Sequence, residues 1–107
     1  MTTLDAFRLN GKVAMVTGGA QNLGYDMADA LAEAGADLVI TSRVLAKAAA
    51  AGKKLAAAHG VEVLPLALDH TDYAQVAAVM KQAQAWKGRL DILVNNAGGS
   101  IGGPCDL

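Results

Sequence analysis

The stretch "VTGGAQNLGYD", residues 16–26, leaves an apolar run, crosses a cluster of glycines and enters a helical pattern. Behind it lies "KVAMVT" (Lys12–Thr17), apolar at nearly every position, as a strand covered on both faces would be. Ahead of it, Leu23–Ala34 sets Leu23, Met27, Leu31 and Ala34 on one helical stripe, and Gly35 follows as a helix-ending residue. A strand, a glycine turn and a helix in succession define one unit, and the unit repeats downstream.

Three more apolar runs follow: "DLVIT" (Asp37–Thr41), "VEVLPLAL" (Val61–Leu68) and "LDILVN" (Leu90–Asn95). A helix over Leu45–His59 is Ala-rich but interrupted by Gly52, which costs about 1 kcal/mol against Ala. Another, capped by Thr71 or Asp72, runs to Gly88 with Val76, Met80 and Ala83 on one face. Strands alternating with helices through right-handed crossovers give an α/β fold with a parallel sheet. Pro65 cannot donate to a sheet ladder, which places the third strand at an edge. The doubly wound order 3-2-1-4 puts it there.

Composition narrows the function. A chain of 107 residues, 53% hydrophobic and 18% charged, is a single globular domain. Its net charge of −1, with no basic run, argues against nucleic acid and anionic membrane surfaces as partners. The longest apolar stretches are strand-sized, too short for a membrane-spanning helix, and Met1–Asp5 has no character of a secretory signal. Cys105 is the only cysteine, so an internal disulfide is excluded and a cytoplasmic location fits. No metal site is expected; His59 reads as a helix-end residue, with no second ligand spaced to join it.

In the order 3-2-1-4 the chain reverses direction between strands 1 and 4, and open α/β sheets bind ligands at the carboxyl ends of strands at such a point. The glycine turn leaves strand 1 and "NNAGG" (95–99) leaves strand 4, so both flank one crevice. G-x-G-x-x-G fails here, because from Gly18 it meets Ala20 and Leu23. G-x-x-x-x-G occurs from Gly19 to Gly24, but Tyr25-Asp26 follows where a phosphate-transferring loop needs Lys-Ser/Thr.

What remains, Thr17-Gly18-x-x-x-Asn22-x-Gly24, resembles the T-G-x-x-x-G-x-G signature of the short-chain dehydrogenases/reductases. Asn95-Asn96-Ala97-Gly98 matches the N-N-A-G of that family, and Leu68-Asp69-His70-Thr71-Asp72 resembles its aspartate segment. The resemblance spans almost the whole chain. It implies a Rossmann-like doubly wound parallel sheet of four strands, incomplete at the strand 4 edge, with residues 1–107 forming the dinucleotide-binding portion of an oxidoreductase. Asn22 departs from the family glycine, but Asn visits positive φ more readily than other non-glycine residues, so the turn survives. The alternative at this turn is an ordinary strand–helix connection with incidental glycines.

The dinucleotide is then expected on Gly18, Gln21, Asn22, Leu23 and Gly24 in the turn, with its pyrophosphate at the start of the first helix. Strand 2 ends in Thr41-Ser42-Arg43 with no carboxylate for a ribose 2′-OH, and Arg43 can pair with a 2′-phosphate. The cofactor expected is therefore NADP, with NAD as the alternative; Ser42 serves either. Arg43 can instead be a solvated first-turn residue of the next helix. By resemblance Asp69 accepts from the adenine amine, its alternative being helix capping near Thr71. His70 lies beside the adenine through its backbone, and Asn96, Ala97 and Gly98 line the crevice near the nicotinamide-side ribose. Asn95 is expected to fix the sheet.

The hydride chemistry of the family uses a serine and a Tyr-x-x-x-Lys pair. Here Tyr25 is followed four residues later by Asp29 and Tyr73 by Ala77, and neither Ser42 nor Ser100 matches the catalytic position, so no catalytic residue is assigned. Two readings stay open. One is the cofactor-binding part of an NADP-dependent oxidoreductase acting on a small carbonyl or alcohol compound, cut short before its catalytic half. The other is a nucleotide-binding or self-associating module without turnover. With no fifth strand encoded, strand 4 is an unprotected edge and apolar side chains of strands 1 and 4 would face water, so a homo-oligomer or aggregation is expected.

Overall fold

The computed structural model describes residues 8–20 and 22–96. The elements are β1 (Val13–Thr17), α1 (Asn22–Glu33), β2 (Asp37–Ser42), α2 (Leu45–His59), β3 (Val63–Ala67), α3 (Tyr73–Lys87) and β4 (Ile92–Asn95). The four strands form one sheet in the order β3-β2-β1-β4, every pairing parallel. This is the Rossmann-like order expected from the sequence, with strand ends shifted by one or two residues.

The continuous apolar runs are explained by period two. In β1, Ala14 and Val16 point to one face and pack with Leu38, Ile40, Ala28, Ala32, Ala48 and Leu55 from β2, α1 and α2. Val13 and Met15 point to the other and pack with Val39, Leu66, Leu68, Val79 and Ala83 under α3. Both faces of the central strands are covered, so both alternate positions are apolar until the carboxyl ends, where the buried polar residues Thr17 and Thr41 stand. α3 reaches far enough over β1 to leave Val13 and Met15 2% and 0% exposed. The expectation that apolar side chains of β1 would face water is therefore corrected, and Leu93 of β4, 51% exposed, is the large apolar side chain that stays open on these two strands.

The stripe expected on α1 is also corrected. Its buried residues are Gly24, Ala28 and Ala32, whereas Leu23 is 59% exposed. Large apolar residues at helical spacing suggested one face, but small residues four apart let the helix backbone lie close to the sheet, and close approach wins. α2 follows the same rule with Ala48, Ala51, Gly52 and Leu55. A Cβ on Gly52 would stand 3.1 Å from Val63 Cγ1, so the residue that weakens the helix also seats it on β3.

Pro65 lies on the outer strand as expected, and its orientation is informative. Leu38 N–H donates to Glu62 O and Leu68 N–H donates to Ser42 O, so the even-numbered residues of β3 turn toward β2. The nitrogen of Pro65 faces outward, where no ladder bond is lost. At the amino ends of the strands, Lys87 Nζ bridges Asp37 Oδ2 (3.4 Å) and Glu62 Oε1 (3.0 Å). Nearby, Asp91 accepts two bonds from Arg89 and one from Val13 N–H at 2.8 Å, tying β4 to β1. Those Arg89 bonds, helped by the Val13 N–H, pull the Asp91 carboxyl down to about 2.

Candidate functional site

The carboxyl ends of the strands carry the candidate site, and β2 holds its first part. Gly18 turns out of β1 at φ +67°. Its N–H donates to Thr41 Oγ1 at 3.2 Å, and Gly19 N–H donates to Thr41 O at 3.1 Å. Thr41, 1% exposed, thus anchors the turn from the neighbouring strand. The sequence reading missed this role, because a threonine inside an apolar strand carries no local signal of what its hydroxyl holds.

Asn22 adopts φ +57°, the one positive value at a non-glycine position among the described residues. The turn tolerates it for the reason anticipated: Asn enters the left-handed region more readily than other side chains. Gly24 is required by close contact. A Cβ there would collide with the carbonyl oxygen of Gly18 and stand 2.6 Å from Asn96 Nδ2. The turn, the head of α1 and the exit of β4 therefore meet at one point. The leading N–H groups of α1, from Asn22, Leu23 and Gly24, have no acceptor within the helix, and its first turn carries no acidic side chain. This chemistry fits a phosphate group, and the exposed side chain of Leu23 does not obstruct it.

β4 is fastened by a hydroxyl. Thr17 pairs in register with Asn95, and its Oγ1 accepts from Asn96 N–H at 2.9 Å while lying 3.1 Å from Asn95 Oδ1. Asn95 fixes the sheet, and the same node fixes where the chain leaves it. Gln21, Ala97 and Gly98 lie outside the described residues.

A second group lies at the ends of β2 and β3. Ser42 Oγ accepts from Val44 N–H at 3.2 Å, which holds the connection that presents Arg43 in the open. Arg43 precedes α2, so it is not a first-turn residue of that helix. Asp69 Oδ1 accepts from Thr71 Oγ1 at 2.6 Å and from Thr71 N–H at 3.0 Å. Those two bonds hold its carboxyl below the usual range, and the charges of Arg43 and His70 act in the same direction. Helix capping falls to Asp72, which accepts from Ala74 and Gln75 N–H, so Asp69 shapes the turn before the helix. His70 is exposed and borders, with Thr17, Tyr73, Met80, Leu93 and Asn95, a separate cavity of about 250 Å³ on the α3 side. His59, at the end of α2, contacts Asp29 Oδ1 through Nε2 at 2.6 Å and joins α2 to α1. Among the described residues no three metal-ligating side chains cluster, and no helix is long and apolar enough to cross a membrane.

The profile of the short chain dehydrogenase family matches residues 12–106. The chain belongs to this family. The short-chain dehydrogenase chain is 39% identical to the peroxisomal 2,4-dienoyl-CoA reductase of Danio rerio over 93 residues, 87% of this chain and 31% of that protein. Its fold superposes on the L-sorbose reductase of Gluconobacter frateurii, solved with NADPH and L-sorbose, with a TM-score of 0.82 at 36% identity. That match covers 86% of this chain and 35% of the reductase. The NADPH-dependent 3-quinuclidinone reductase of Rhodotorula rubra gives 0.80 at 30% identity over 86% and 35% of the two chains. The chain thus spans about a third of the length of the relatives it matches.

Proposed function

We propose that this short-chain dehydrogenase chain forms the NADP-binding part of an oxidoreductase, and that residues 1–107 act as one dinucleotide-binding domain. The observation that carries the proposal is the meeting of Gly18, Gly24 and Asn96 at the switch point of the sheet. Bound there, the dinucleotide supplies the hydride exchanged between a carbonyl and an alcohol. The pyrophosphate is assigned to the N–H groups of Asn22, Leu23 and Gly24, with Gln21 completing the turn. Asn96, with Ala97 and Gly98, is assigned to the ribose beside the nicotinamide, and Asp69 with the backbone of His70 to the adenine.

Arg43 is assigned to the 2′-phosphate. Two observations support this choice: the end of β2 offers Ser42 and Arg43 but no carboxylate, and of the two solved relatives named above one holds NADPH and the other is NADPH-dependent. Asp69 lies close enough to feel the charge of Arg43, yet its Oδ1 is already engaged by Thr71. The substrate is proposed as a small carbonyl or alcohol compound, the class to which the L-sorbose and 3-quinuclidinone of the two solved relatives belong. Neither Tyr25 nor Tyr73 has a lysine four residues on, so proton transfer is assigned to no residue of this chain.

Calorimetric titration with NADPH and NADH tests the reading. NADPH binds more tightly, and Arg43→Ala narrows the gap by about 1–3 kcal/mol, the worth of a charge-assisted contact. Equal affinities before and after the substitution would count against it.

A further inference from the structure

A cleft of about 500 Å³ opens between α1 and α2 beside the glycine turn. Ala20, Asn22, Tyr25 and Asp26 line one wall, and Lys47 and Lys54 of α2 line the other. The two lysines are not equivalent. Lys54 Nζ sits 5.4 Å from the centroid of the Tyr25 ring, a cation–π distance that holds it against α1. Lys47 is exposed in the first turn of α2, and its ammonium has no hydrogen-bond, ion-pair or ring partner among the described residues. Asp26 is the single carboxylate on the walls, so the cleft carries a net positive charge.

Its position gives that charge a ligand. The mouth of the cleft is bounded by Ala20 and Asn22 of the turn, and its α2 wall begins at Lys47, five residues after β2 ends and four after Arg43. In the cofactor reading above the ribose 2′ position would be met by the end of β2, and this cleft opens between the turn and the first turn of the helix that follows β2. A phosphate monoester carries a charge of about −1.5 to −2 near neutral pH, of which one guanidinium neutralises only a part. We propose that the cleft extends the 2′-phosphate subsite and that Lys47 is a second specificity-determining cation alongside Arg43. Lys54, held by Tyr25, supports the field of the cleft without touching the phosphate. The inference rests on the cofactor reading above and deepens it.

The test uses adenosine 2′,5′-bisphosphate and adenosine 5′-monophosphate as probes, titrated calorimetrically into the purified protein and its variants. The two probes differ only in the 2′-phosphate. The unmodified protein prefers the bisphosphate. Lys47→Ala weakens the bisphosphate about five- to tenfold and leaves the monophosphate within about twofold, while Lys47→Arg retains most of the preference. Lys53→Ala, which removes an exposed α2 lysine outside the cleft, changes neither. Alanine is a strong helix former, so circular dichroism should report an intact fold for every variant. Equal binding of both probes by the unmodified protein would overturn the NADP reading and the subsite together. A preference that survives Lys47→Ala would overturn the subsite alone, as would a loss shared equally by both probes.

Discussion

Thr41 shows how much of a binding turn can rest on a residue outside it. Its carbonyl and hydroxyl oxygens accept from Gly19 and Gly18, so the turn that leaves β1 is shaped by β2. Thr41→Val keeps the size and β-branching of the side chain but leaves the Gly18 N–H without its acceptor. The variant should be less stable by about 1–2 kcal/mol, read from urea midpoints at unchanged slope, and Thr41→Ser should recover most of the loss. A valine variant as stable as the parent would show that the hydroxyl holds nothing of consequence. Legibility divides at this scale. The positive φ of Asn22 could be read in advance, because it follows from the side chain's own preference. The role of Thr41 could not, because a hydroxyl names no partner until the fold brings one to it.

Among the elements, strands were more legible than helix faces, and the reason is size. Strand assignment rests on bulky β-branched and aliphatic runs, which stand out, and Pro65 even fixed which strand lies outermost. The contact face of α1 is set by Gly24, Ala28 and Ala32, whose smallness is the signal, while the conspicuous Leu23 is exposed. The seam between β1 and β4 has a pH dependence that follows from Asp91. Its carboxyl lies at about 2 in the folded chain, below its ordinary value of 3.8. A depressed carboxyl stabilises the fold above its unfolded value, and that contribution is lost as pH falls through the folded one. The melting temperature of the parent should therefore exceed that of Asp91→Ala at neutral pH, and the difference should shrink between about pH 4 and pH 2. A constant difference across that range would show that the ion pair with Arg89 does not set it.

For the whole molecule, the two borders of the sheet contrast. Among the described residues β4 pairs only with β1, and on the α3 face its Leu93 borders a cavity lined by Met80 and the 87%-exposed Tyr73. Asp91, the charge nearest this edge, is committed to Arg89 and Val13 and protects it little. The chain is therefore expected to self-associate along β4. Sedimentation equilibrium at tens of micromolar should show species heavier than the monomer, and Leu93→Lys should reduce them. A clean monomer with a cooperative melt and no binding of a hydrophobic dye would speak against this. The opposite border acts on the choice among competing topologies. A five-residue strand can give few ladder bonds to a neighbour, and Pro65 removes one of them on the outer side of β3. When β4 folds back, docking beside β3 would forfeit that bond, whereas docking beside β1 forfeits none. One proline thus biases the chain against the simple sequential order of strands and toward the reversal that creates a crevice.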